Sequence, residues 1–158
     1  MSGNMEKEYF FEISPKGNDA RGQEIEEGIR DLGINGIDSV ASSRIFYLYG
    51  ELDDSRKERD IIGKELLSDP LCESYSLVPL TPSGSEIKVF FREGVLDIES
   101  VRVREALHIM GIDSIRKVRT ARKYTIKGAK ASDIGTCGFI AEKLLYNKVI
   151  EEVSIDAG

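Results

Sequence analysis

An α+β fold built from two tandem β-α-β-β-α-β units is predicted for this 158-residue chain by three observations. Residue types recur at a fixed offset of 78: Asp19 with Asp97, Gly33 with Gly111, Arg44 with Arg122, Gly50 with Gly128 and Leu66-Leu67 with Leu144-Leu145. Inside each copy, β-branched and aromatic runs alternate with segments whose apolar residues fall at helical spacing, the respective signals of strand and helix. Units of about 70 residues also bury only ~60% of their unfolded surface and are marginal alone, so the two copies are expected to pack together as a pseudo-dimer.

The elements follow in order. Tyr9, Phe10, Phe11 and Ile13 mark a first strand, and the composition of 15–18 marks a turn. Asp19 is placed to cap a helix, because its carboxylate can accept the free N–H groups of the first turn. Ile25, Ile29 and Leu32 form that helix's apolar stripe, and Gly33 ends it in the left-handed conformation. Residues 38–50 read as two short strands or one bent ribbon carrying Val40 and Ile45 to Tyr49. Asp53, Asp54 and Ser55 open a second helix with Ile62, Leu66 and Leu67 on one side, Pro70 stops it, and 71–78 form a last strand. Residues 79–86, with two prolines and small polar side chains, read as a linker too short to let the copies separate. The second unit repeats the plan: a strand from Ile87, a helix capped by Asp97 and carrying Val103, Leu107 and Met110, a ribbon over 115–127, a helix from Ser132 or Asp133, and a strand over 149–155. The predicted division is therefore a first domain over 1–78 with a short tail, a linker over 79–86, and a second domain over 87–158. An antiparallel middle pair with flanking helices would make each unit ferredoxin-like. Helices would cover one sheet face, and the other copy is the expected cover for the second.

Composition narrows function. No apolar run approaches the ~18 residues of a membrane span, and the opening residues lack the apolar core of a signal peptide. Cys72 and Cys137 have no neighbours at metal-ligand spacing and read as reduced, structural thiols, a residue type commonly buried. His108 is the only histidine, and neither a phosphate-binding Gly-Lys-Ser/Thr loop nor a dinucleotide glycine motif occurs. No catalytic, cofactor or metal site is therefore expected in this chain, and Asp19 and Asp97 are read as helix caps.

The charge is divided unevenly. Residues 9–77 hold 15 acidic and 8 basic side chains, whereas 87–155 hold 9 acidic and 13 basic. Arg116, Lys117, Arg119, Arg122, Lys123 and Lys127 cluster on one ribbon, with Arg44 as the single counterpart in the first copy. Strand alternation places Lys117, Arg119, Lys123 and Lys127 on a common side. These seven residues are the candidates for docking an acidic or phosphate-bearing partner. Nucleic acid is a poor partner for an acidic chain without an RNA-recognition signature.

The run from Ile87 through Phe90, Phe91, Gly94 and Leu96 to Asp97, then Val103 to Leu107, Val118-Arg119, Arg122-Lys123-Tyr124 and the closing Glu142 to Glu151, resembles the PurS subunit of phosphoribosylformylglycinamidine synthase. The first copy keeps Asp19 to Gly22, Leu66 to Pro70 and Glu73 of the same pattern, while the second has Asp97-Ile98-Glu99-Ser100 where the family has Asp-Pro-Gln-Gly. The resemblance implies tandem PurS-like domains joined as a covalent dimer, either a stand-alone subunit or the N-terminal region of a fused PurL-type synthetase. It further implies a cytoplasmic, non-catalytic role in purine biosynthesis. The chain would bridge a PurQ-type glutaminase and a PurL-type synthetase that converts formylglycinamide ribonucleotide with glutamine and ATP. ATP and magnesium would belong to the synthetase, with none bound here. Self-association is possible on this reading, and neither nucleic acid nor membrane is a partner. The competing expectation is a small-molecule-sensing pair of ferredoxin-like domains with a ligand between the copies.

Overall fold

In the computed structural model, residues 6–158 are described, and the short tail expected at the start lies outside them. The elements are β1 (Lys7–Pro15), α1 (Ala20–Asp31), β2 (Ser39–Gly50), α2 (Glu58–Ile61), β3 (Glu73–Ser76), β4 (Ser85–Phe91), α3 (Ile98–Ile109), β5 (Ile115–Lys127), α4 (Ile134–Ile140) and β6 (Glu151–Asp156). Both α2 and α4 run on into a wider π-helical segment, Ile62–Leu67 and Ala141–Leu145 respectively. All strands join one antiparallel sheet in the order β3-β1-β2-β5-β4-β6. The architecture is mixed α+β, compatible with the ferredoxin-like class.

Two expectations change. The middle ribbon of each copy is one long strand rather than an antiparallel pair, so each half reads β-α-β-α-β. The physical reason lies in the sequence: neither 39–50 nor 115–127 contains an internal Gly, Pro or Asn to turn the chain. The second change concerns the open face of the sheet. The halves meet edge to edge through β2 and β5, so neither covers the other's second face. β4 also starts at Ser85, inside the stretch expected to be linker.

The β2–β5 pairing sets Arg44 opposite Arg122, two residues 78 apart, so the ladder is symmetric about that pair. Local structure recurs on either side. Asp19 accepts from Gly22 N and from the hydroxyl and N–H of Ser42. Asp97 accepts from Ser100 N and from Thr120 Oγ1. Each aspartate thus caps its helix and pins it to the neighbouring long strand. Gly33 and Gly111 close α1 and α3 at φ 75° and 82°.

The cores are not confined to halves. One joins Tyr9, Phe11, Ile13, Phe46, Leu48, Ile62 and Leu67 with Val103 and Leu107 of α3 and Ile112, Ile115 and Val118. The other joins Ile87, Val89, Tyr124, Ile126, Cys137, Ile140 and Leu145 with Ile25 and Ile29 of α1 and Val40. The two long helices sit at the seam: α1 packs on β2 and α3 on β5, and their buried side chains reach across into the strands of the opposite half. Full burial of a side chain such as Ile29 is worth about 1.5–3 kcal/mol, and here that stabilisation is collected only when both halves are present. Cys137 is buried as expected, whereas Cys72 sits exposed in the turn before β3.

Candidate functional site

The seven cations singled out by the sequence do not act as one group. Arg44 and Arg122, which point to the helix face, tie each half together. Arg44 Nη2 donates to both oxygens of Glu73 at 2.9 Å and to the Leu67 carbonyl at 3.1 Å. Arg122 donates to both oxygens of Glu151 at 2.6 and 3.3 Å and to the Leu145 carbonyl at 2.8 Å. In each case a guanidinium clamps a β-strand carboxylate to the carbonyl that ends a π-helical segment, Arg122 through two nitrogens in the bidentate fork that arginine offers and Arg44 through Nη2 alone. Burial works against the charge on Glu151, but the bonds from Arg122 and from Asn147 N, together with the Arg122 charge, outweigh it and hold the carboxyl below its usual range.

Lys117, Arg119, Lys123 and Lys127 do share the open face of the sheet, as alternation requires. Lys123 is nevertheless buried. Its ammonium lies 2.6 Å from Glu12 and 3.1 Å from Glu86, and the Glu12 side chain is itself fully buried. Glu12 also accepts from Ser43 Oγ and from the backbone N–H of Leu80, which draws residues 80–83 across this part of the face. Lys123 is therefore a structural cation and not a free docking group. Arg116 is exposed at the bulge where β2 and β5 lose register, 3.9 Å from Glu6. Lys127 is exposed at the far end of the strand.

Lys117 and Arg119 lie on an aromatic surface. Phe10, Tyr47 and Phe90 follow one another across the sheet with centroid separations of 5.7 and 6.4 Å. The Arg119 guanidinium sits 4.2 Å from the Phe90 ring centre, and the Lys117 ammonium sits 5.5 Å from that of Tyr49, both within cation–π range. Burial, then a hydrogen bond and the negative charge of Glu8, push the Tyr49 phenol up to about 12.

Both side chains line a groove of about 510 Å³ together with Arg92, which sequence reasoning missed. Arg92 lies just past the end of β4, outside the basic ribbon. Its Nε is held by the Lys148 carbonyl at 2.9 Å. Among the described residues none of Arg92, Lys117 and Arg119 has a carboxylate within ion-pair distance. The signal that could have found the groove is the repeat itself: 78 residues earlier stand Ser14, Ser39 and Ala41.

Fold and site together define a helix-backed antiparallel α+β protein with exposed cations on the open face of its sheet. Compared with protein-family models, residues 85–158 match PurS: phosphoribosylformylglycinamidine (FGAM) synthase, so this stretch is similar to a PurS domain. The chain matches no curated protein. Among the described residues no helix is long and apolar enough to cross a membrane.

Proposed function

We propose that this chain is a tandem PurS-like component of phosphoribosylformylglycinamidine synthase, acting in the cytoplasm in purine biosynthesis. In this reading it is a covalent pseudo-dimer that bridges a PurQ-type glutaminase and a PurL-type synthetase, the latter holding ATP and magnesium. The observation that carries the proposal is the family match over 85–158, joined to the recurrence in 6–84 of the same set of bonds. The Asp19 and Asp97 caps and the Arg44 and Arg122 clamps, each 78 residues apart, support reading the first half as a second copy of the matched domain. Docking of acidic partner surfaces falls on this reading to Arg116 and Lys127, the exposed cations at the two ends of β5.

The test is co-expression of the chain with the synthetase and glutaminase of its own organism. Co-purification of all three and a rise in glutamine-dependent turnover are expected. If the chain neither joins the complex nor changes turnover, the proposal fails.

A further inference from the structure

The groove beside β5 is more than the fold requires. Its walls are Tyr49 and Phe91 on the apolar side, and Arg92, Lys117 and Arg119 supply positive charge. A structural cation would be expected to meet a carboxylate, as Arg44, Arg122 and Lys123 do. These three do not. The carboxylates on the same rim are Glu93, Asp97 and Glu152. Asp97 is occupied by Ser100 N and Thr120 Oγ1, and neither Glu93 nor Glu152 approaches a cation within ion-pair distance among the described residues.

The other half provides an internal control. The corresponding hollow there, about 320 Å³, is lined by Ser14, Asp19, Ala41 and Ser42, is partly roofed by Leu80 and Thr81, and has as its cation Lys123, paired with Glu12 and Glu86. The same backbone is thus built with Ser14, Ser39 and Ala41 where the second half has Arg92, Lys117 and Arg119. Three like charges gathered on one exposed rim repel one another, and an anion seated among them would relieve that repulsion. The volume lies inside the ~300–1,000 Å³ range of small-molecule sites. The cations are also fixed in place. Arg119 is stacked on Phe90, Lys117 lies over Tyr49, and Arg92 is anchored through Nε with its terminal nitrogens unclaimed. Guanidinium groups match phosphate oxygens in bidentate fashion, while the free carboxylates of Glu93 and Glu152 can accept hydroxyl protons.

We propose that this groove binds a small hydroxylated phosphomonoester, a sugar phosphate, with the phosphate on Arg92, Lys117 and Arg119 and the hydroxyls on Glu93 and Glu152. It does not rest on the assembly proposed above, because binding is read on the chain alone.

The experiment is titration of ribose 5-phosphate, and separately inorganic phosphate, into the full chain at low salt, followed by calorimetry or amide NMR shifts. The control variant R92S/K117S/R119A carries the residues that the first half uses at these places. Saturable binding of ribose 5-phosphate, tighter than that of inorganic phosphate, is expected. Losing even one charge-assisted hydrogen bond weakens binding about tenfold, so the triple variant should bind at least that much more weakly while melting as the parent does. Should the triple variant fold poorly, K117S alone carries the same expectation of about a tenfold loss. No saturable binding by the parent, or undiminished binding by the variants, overturns the proposal. Equal affinity for inorganic phosphate overturns the roles of Glu93 and Glu152. Silence toward both probes, with loss of synthetase co-purification in the triple variant, assigns the cations to protein docking and overturns the ligand.

Discussion

Replacing Lys123 by methionine probes the most unusual charge in the molecule. The Lys123 ammonium sits between Glu12 and Glu86, at 2.6 and 3.1 Å, with the Lys123 and Glu12 side chains 5% and 0% exposed. Lys123→Met leaves two carboxylates facing each other in a dry site, and breaking such a pair from one side costs about 3–5 kcal/mol. Against a total stability of order 5–15 kcal/mol, that is a large fraction. With a urea m-value of about 2 kcal/mol/M, the unfolding midpoint should fall by roughly 2 M. Glu12→Gln alone keeps one acceptor oxygen, which can take the Leu80 N–H, while Ser43 Oγ can turn to accept from the amide nitrogen and Lys123 retains Glu86, so its cost should be about 1–3 kcal/mol. In the double variant E12Q/K123M only Glu86 stays charged, and it lies nearer the surface, at 12% exposure. The double variant should therefore be more stable than K123M, with a coupling energy of about 2 kcal/mol or more from the double-mutant cycle. The positions 78 residues from Lys123 and Glu12 are Ile45 and Phe90, so this sheet already accommodates an apolar solution at the matching place. Urea unfolding of the three variants decides the matter: strict additivity, or a midpoint for K123M within about 0.3 M of the parent, would refute the reasoning.

Three further outcomes are expected. Gly22→Ala should destabilise strongly, by about 2–4 kcal/mol, because a Cβ there would fall 2.3 Å from the Val40 carbonyl oxygen; thermal unfolding reads the loss. Glu151→Gln should cost stability in a pH-dependent way. A carboxyl held below its usual 4.5 stabilises fully above that value and loses its contribution as pH falls through the lowered one, so the melting difference from the parent should be widest at neutral pH and close in strong acid. Thiol titration of the native chain at neutral pH should proceed slowly at Cys72, which is exposed but whose pKa is raised by a hydrogen bond to Asp69. Cys137 should react only after denaturant is added, since it is fully buried and donates to the Ala131 carbonyl.

The local grammar of the fold was open to reading from residues. Asp19 and Asp97 cap their helices, Asp133 caps α4, and Gly33 and Gly111 close theirs, because capping depends on a few neighbouring atoms. What escaped depends on distance. The apolar stripes of α1 and α3 announce that each helix needs a sheet but not how far across it, so their reach over the seam was invisible. Lys123 and Glu12 stand 111 residues apart, and a charge on a strand reads as solvent-facing until its neighbours are known. The clamps of Arg44 and Arg122 were seen as charge, not as partners for Glu73 and Glu151, because a conserved spacing within each half carries no direction of side chain. Arg92 was missed since it follows β4 instead of lying on the ribbon.

The helices at the seam also govern how the chain can be made. During synthesis the first half leaves the ribosome with Ile25 and Ile29 of α1 matched to strands not yet translated. At ~5–20 residues per second the remaining 74 residues of 85–158 take roughly 4–15 s. For that interval α1 rests on β2 with its inner apolar flank uncovered, and β2 presents a long free edge awaiting β5. Emergence of the second half, not of the first, is the event that closes both cores, so a fragment that stops before β4 is expected to be sticky where the 1–158 chain is not.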